Sequence, residues 1–284
     1  MRPVSANRSD RAAMAQQTLA ILEAGGYSAA SGAWVSLETS VVHCLNATRL
    51  HEPEQFDALI ARRAPADATM PSATLEVRNE TTLAGIARLV AAGEGPVSAL
   101  NFASAKNPGG GFLGGSEAQE ESLARSSALY ASLLREPSYY ERHRATTSSL
   151  YSDAMIVSPD CPVFRGDSGC LLERPMTASF ITSAAPNAGA LASNQPDLLP
   201  NLHTVLLRRA ECVLALAASR GDRCIVLGAW GCGVFRNDPA MVADVFAELL
   251  IDRGWASSFA HVCFSILDRS SGGHVLSAFE RRFG

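Results

Sequence analysis

From residue 71 onward, apolar runs of strand length alternate with stretches of helical periodicity, and this alternation restricts the chain to a layered α/β fold. "ATLEVRNETTLAGIARLVAAG" begins as an alternating strand, turns at Asn79 and continues as a helix that stops at Gly93. "PVSALNFAS" is an apolar strand, and "ASFITSAAP", "CIVLGAWG" and "HVCFSILD" are three more, each bounded by turn residues. Helical stretches at 202–220 and 239–253 lie between or beside them. The expectation is an α/β domain over residues 71–284.

Residues 1–70 have a different texture. Ser9 and Asp10 are cap candidates for the helix in "RAAMAQQTLAILEAGGY", which stops at Gly25-Gly26. "SLETSVVHCLNATRL" mixes β-branched and polar residues and fits strand or helix, whereas "EPEQFDALIARRA" returns to helical spacing after an early proline. This segment reads as a mainly helical extension packed on the core. The chain carries no internal repeat, heptad array or low-complexity tail.

Composition narrows the function. With 284 residues, 47% of them hydrophobic, the chain can bury the core of one large domain or two small ones. A formal net charge of -4 argues against broad capture of duplex nucleic acid, so an anionic ligand needs a local site. Seven cysteines with no CxxC pair fit neither a disulfide framework nor a zinc ribbon and read as reduced thiols. The six histidines are scattered without ligand spacing, so no metal is expected. "MRPVSANRSDRAAMAQQ" is too polar for a secretory segment, and no run approaches the roughly 18 apolar residues of a membrane span. A cytoplasmic protein is the expectation.

Two strand exits carry the chemistry. "NFASAKNPGGGFLGG" follows the strand that ends near Phe102, and "GAWGCGVFRND" follows the strand Cys224 to Leu227. In open α/β sheets ligands collect at the carboxyl ends of strands, and glycine lets a backbone approach a ligand and present N–H donors. Either loop alone is no more than a tight turn; two on successive apolar strands suit a diphosphate. Neither has the GK[ST] of a Walker loop or the spacing GxGxxG, so nucleoside triphosphate hydrolysis and dinucleotide redox chemistry lack their parts. A thiol nucleophile at Cys232 would need a GxCxG elbow, but Trp230 and Val234 stand at the glycine positions.

Gln119, Glu120 and Glu121 open a helix expected to run to about Leu134. Acidic residues in a first turn favour the helix dipole without further purpose. Here, however, they follow a loop suited to an anion, where two carboxylates are unfavourable unless they perform a task. A carboxyl acting as an acid at neutral pH must be pushed up by burial or a neighbouring negative charge. Successive helical residues point about 100° apart, so the pair cannot flank one glycosidic bond from opposite faces; one acid and one positioning group is the expected division.

Gly109-Gly110-Gly111, the seven residues "FLGGSEA", then Gln119-Glu120-Glu121 resemble the marker of the microbial, macrodomain-type poly(ADP-ribose) glycohydrolases, which is GGG, a spacer of six to eight residues, and QEE. The resemblance extends through "QQTLAILEAGGY", "LEVRNETTL", "NFASAKNPGGGF", "AQEESLARSSALY", "FITSAAPNAG" and "LGAWGCGVFRNDP". It implies a three-layer α/β/α macrodomain with a mixed central sheet and an N-terminal helical extension, with ADP-ribose in the cleft. By the same resemblance Glu121 is the catalytic acid, Glu120 contacts the distal ribose and Gln119 shapes its pocket. Gly109, Gly110 and Gly111 border the diphosphate and ribose, while Gly231, Cys232, Gly233 and Val234 form a second diphosphate loop. Phe235 packs on the distal ribose. Asn107, and after it Asn101, meet ribose hydroxyls, although a loop asparagine more often caps its own backbone; Asn187 lines the adenine side.

The implied reaction cleaves the ribose–ribose O-glycosidic bond of poly(ADP-ribose), from chain ends, and releases ADP-ribose without a metal or other cofactor. Two alternatives stay open. One is hydrolysis of a single ADP-ribose from an ADP-ribosylated protein. The other is a reader that binds ADP-ribose without cleaving, against which the acidic pair argues.

Overall fold

The computed structural model describes residues 7–63 and 73–284. Its first helix, α1 (Arg8–Ala24), is capped by Asn7 and not by Ser9 or Asp10: the Asn7 side chain accepts from the Asp10 N–H, and Asp10 accepts from the Asn7 N–H, both at 3.0 Å. Gly25 ends the helix, and Gly26 already belongs to β1 (Gly26–Ser28), which pairs antiparallel with β2 (Trp34–Ser36). The ambiguous stretch resolves both ways, into α2 (Glu38–Ala47) and the short β3 (Arg49–His51). Helix α3 (Phe56–Ala61) follows a 3-10 turn that starts at Pro53. The boundary expected between residues 70 and 71 lies outside the described residues.

Strand β4 (Thr74–Arg78), helix α4 (Thr82–Ala92) and strand β5 (Val97–Phe102) form as the periodicity requires, with the Thr81 hydroxyl capping α4. After β5 come α5 (Gln119–Ser126), α6 (Leu129–Leu133) and α7 (Pro137–Ala145). Two long strands follow, β6 (Met155–Arg165) and β7 (Leu171–Ser183), then α8 (Ala188–Asn194) and α9 (Leu202–Ser219). The chain ends with β8 (Cys224–Leu227), α10 (Pro239–Ala247), a π-helical turn Glu248–Asp252, β9 (His261–Ser265) and α11 (His274–Phe283).

Among the described residues the central sheet has the order β3-β6-β7-β5-β8-β9-β4. Neighbouring strands from β7 to β4 are parallel, and β6 lies antiparallel to both β7 and β3. Both faces are buried, as period-two alternation shows. Leu100, Ile225, Leu227, Val262 and Phe264 pack with α9, α10 and α11 on one side. Ala99, Cys224, Val226 and Cys263 pack with α4 and α6 on the other. The chain after β5 therefore leaves toward one layer, while the chains after its neighbours β7 and β8 leave toward the opposite one. Such a divergence of connections opens a crevice at the carboxyl ends of the three strands.

Two features depart from the sequence reading. Strand β6 carries Pro159 and Pro162, which disguise it; its ladder shifts register between Ser158 and Cys161, and Asp160 at the shift has φ 46. The helix expected to reach Leu134 stops at Ser126, because Ser127 is extended (φ -149, ψ 179) and bridges Val163 of β6, while the Ala128 N–H donates to Pro162 O at 3.1 Å. No helix among the described residues is long and apolar enough to cross a membrane.

Candidate active site

The loop leaving β5 folds back over the first turn of α5 and rests on its acids. Gly110 has φ 58, and a Cβ there would stand 2.5 Å from Glu121 Oε1 and 3.2 Å from Glu120 Oε2. Both the backbone conformation and the space therefore demand glycine. The Gly111 N–H donates to Glu121 Oε1 at 2.9 Å, and the Gly109 N–H reaches Glu120. Gly110 and Phe112 close internal turns onto Asn107 O and Gly109 O. The donors of this first loop thus turn inward. They are not the free anion donors that the loop's composition suggested, because two carboxyls lie within reach beneath it.

Glu120 is 2% exposed, and its Oε2 accepts from the Ser104 N–H at 2.7 Å while Asn101 Nδ2 donates to Oε1 at 3.2 Å. Burial pushes the Glu120 carboxyl up to about 8; the Ser104 and Asn101 donors oppose the shift, and the adjacent Glu121 adds to it. Glu120 is therefore mostly protonated at neutral pH. Glu121 is also buried, one position further round the helix.

Gln119 is wholly committed to the scaffold. Its Oε1 accepts from the Phe102 N–H at 2.9 Å, and its Nε2 donates to Leu100 O at 2.7 Å and Thr82 Oγ1 at 3.1 Å, fastening the start of α5 to β5 and α4. The three candidate asparagines have separate fates. Asn101 is fully buried and donates to Thr182 Oγ1 as well as Glu120, so it orients Glu120. Asn187 caps α8, its Oδ1 accepting from the Ala190 N–H at 2.9 Å. Asn107 is exposed at the entry to the glycine turn.

The second loop lies at the neighbouring strand exit. Trp230 Nε1 donates to Ser183 O at the end of β7, and the Ala103 N–H after β5 donates to the same carbonyl, so the three strand ends are tied together. Cys232, Arg236 and Asn237 spend their N–H groups on turns within the loop. The N–H groups of Gly233, Val234 and Phe235 have no partner among the described residues, and Val234 is 83% exposed. Three consecutive unpaired amides leave a row of donors of the kind that can receive an anion. The Cys232 thiol is pushed up to about 12 by burial, with help from the Asp238 charge, so it is protonated and unsuited to nucleophilic attack.

Sequence reasoning missed an aromatic wall between the loops. The Phe235 ring lies 6.0 Å from Tyr151, Tyr151 lies 5.7 Å from His143, and His143 lies 4.6 Å from Tyr139, whose hydroxyl accepts from the Ala184 N–H. Burial and the field of Glu120 raise the phenols of Tyr139 and Tyr140, and burial holds His143 down to about 4, so these three groups are uncharged at neutral pH. Only the aromatic density of "SYYERH" signals it in the sequence. Among the described residues no group of three His, Cys, Asp or Glu side chains is placed to hold a metal ion.

Comparison with known proteins bears on this geometry. Residues 15–166 match the model of a family described as microbial-type PARG, catalytic domain. The chain is similar to the crystal structure of poly(ADP-ribose) glycohydrolase (PARG) from Thermomonospora curvata, with 48% identity over 97% of this chain and 100% of that one and a TM-score of 0.93. A structure of the same protein bound to the inhibitor ADP-HPD aligns at 47% identity over the same shares, with a TM-score of 0.90. PARG from Deinococcus radiodurans in complex with ADP-ribose is 47% identical over 85% of this chain and 96% of that one, with a TM-score of 0.80. No curated protein matches the chain.

Proposed function

The chain belongs to the microbial-type poly(ADP-ribose) glycohydrolase family, and on that premise we propose that it hydrolyses the ribose–ribose O-glycosidic bonds of poly(ADP-ribose), from chain ends, and releases ADP-ribose. The observation that carries this reading is the buried Glu120–Glu121 pair under the glycine loop, beside a second loop tipped with three unpaired amides. The relatives described as bound to ADP-ribose and ADP-HPD support ADP-ribose as the ligand.

In this reading the amides of Gly233, Val234 and Phe235 hold the diphosphate, and the Phe235 ring fixes the distal ribose. Glu121, protonated in the reactive complex, gives its proton to the departing ribose hydroxyl as the glycosidic C–O bond breaks. The resulting carboxylate then takes a proton from the water that attacks the oxocarbenium-like carbon, which restores the acid. The bound diphosphate stabilises the positive charge of the transition state. Glu120, holding its own proton at neutral pH, donates to a distal ribose hydroxyl and keeps the pair from placing two negative charges beside the diphosphate. Water and two carboxyls suffice for this route. Asn107 meets a ribose hydroxyl at the mouth. Seven free cysteines, five of them buried, support a cytoplasmic location.

Glu121→Gln tests the central assignment, since glutamine keeps the acceptor for the Gly111 N–H but cannot act as the acid. Turnover should fall about 10²- to 10⁴-fold with ADP-ribose affinity by calorimetry little changed. Near-normal turnover would remove Glu121 from the mechanism, and folded wild-type protein giving no heat with ADP-ribose would remove the ligand.

A further inference from the structure

The loop from Gly109 to Gly115 contains five glycines, so its own sequence does little to hold it in one shape. Contacts from α1 supply what it lacks. Arg8 Nε donates to Gly114 O at 2.9 Å, Arg11 Nε donates to Gly115 O at 2.8 Å, and Arg11 Nη1 pairs with Glu117 Oε2 at 2.9 Å. Gly115, at φ 73, touches the helix backbone itself: a Cβ there would collide with the Arg8 carbonyl and lie 3.1 Å from Ala12 N. One turn on, Ala15 packs in a dry cluster with Phe112 of the loop and Ala124 of α5. A further turn on, Thr18 Oγ1 donates to Arg125 O at 2.6 Å.

Positions 8, 11, 15 and 18 form one stripe of a helix. That stripe touches first the loop and then the helix that carries the acids. Arg125 closes the circuit by donating from Nη1 to Ser116 O at 2.7 Å. Helix α1 therefore spans the interval between the loop and α5, the interval that the 2.9 Å bond from Gly111 to Glu121 depends on.

Building on the hydrolase reading above, we infer that α1 is a strut that sets the glycine loop against Glu121, with Arg8 and Arg11 as positioning residues for bond cleavage. Neither guanidinium touches the reacting atoms. Their effect reaches turnover through the loop, whereas the proposed diphosphate amides belong to the other loop. Losing the strut should therefore separate catalysis from binding.

The test is the double variant Arg8→Ala/Arg11→Ala, examined by hydrogen exchange, steady-state kinetics on poly(ADP-ribose) and calorimetry with ADP-ribose. Amides of 109–118 should exchange faster while those of 228–238 do not, kcat should drop on the order of 10- to 100-fold, and ADP-ribose affinity should stay within about threefold. Arg11→Lys in place of Arg11→Ala, which restores a donor, should recover part of kcat. Unchanged exchange at 109–118, or faster exchange with kcat intact, would overturn the strut. If the wild-type protein itself leaves the polymer uncut, the hydrolase reading fails, yet exchange still decides whether α1 holds the loop. Should the double variant not fold, Arg8→Ala alone, which removes one surface hydrogen bond, carries the same comparison.

Discussion

Gly110→Ala isolates the contact on which the site geometry turns. Two costs are superimposed there and a control separates them. The first is conformational: an L residue at φ 58 pays about 1–2 kcal/mol for the left-handed region, partly offset by the lower entropy of the unfolded chain. Gly221, at φ 75 with nothing within 4 Å of a Cβ, would carry that cost alone, so Gly221→Ala should lose about 1 kcal/mol and keep full turnover. The second cost is steric and unique to Gly110. A methyl 2.5 Å from Glu121 Oε1 falls about 0.9 Å short of the 3.4 Å at which ordinary contact begins, and the acid is buried. Either the loop lifts or the carboxyl turns, and the Gly111 hydrogen bond to a buried acceptor, about 1–3 kcal/mol, is lost. Gly110→Ala should then lose about 2–4 kcal/mol in urea denaturation, and a misplacement near 1 Å should lower kcat about 10²-fold. If Gly110→Ala and Gly221→Ala lost equal stability, and Gly110→Ala kept kcat within about threefold, the loop would not rest on the acid as described.

The buried Glu120 makes stability depend on pH. Its folded value of about 8 lies above the ordinary 4.5, so its contribution is complete below pH 4.5 and drains away as pH rises through 8, at up to about 1.4 kcal/mol per pH unit. His143, held near 4, works in the opposite direction only below its ordinary 6.5. Between pH 6.5 and 8 the wild type should therefore lose stability that Glu120→Gln does not, and parallel denaturation curves for the two proteins in that window would refute the assignment. Arg209 is 1% exposed and donates to Asp153, Leu150 O and Ala184 O at 2.8–2.9 Å. Arg209→Met should cost about 3–5 kcal/mol in denaturant unfolding by stranding these acceptors, and a loss below 1 kcal/mol would contradict that.

What was legible in the sequence follows from how local each signal is. Strands β5 and β8 were plain because parallel strands buried on both faces are written as apolar runs, and their glycine exits stand out against them. Strand β6 was hidden because Pro159 and Pro162 obey a rule about backbone donors that a register shift suspends. The pair Glu120–Glu121 was visible as a pattern, but the direction of the glycine amides was not, since it depends on which acceptor the folded loop meets first. Asn101, Asn107 and Asn187 are indistinguishable as letters, and only tertiary context makes one an anchor for an acid, one a surface residue and one a helix cap. Tyr151 and His143 reach the site from a segment with no motif, and the split between α5 and α6 is imposed by β6 across 36 residues of chain, from Ser127 to Val163.

Helix α5 is eight residues long and fastened at both ends, by Gln119 to β5 and by Ser127 and Ala128 to β6. Its rotational phase is thereby frozen. Inserting or deleting one residue between those anchors would set them about 100° out of phase, so that either Gln119 or Ser127 would have to give up its contacts. The stretch from Gln119 to Ser127 is therefore a unit whose count the two anchors fix.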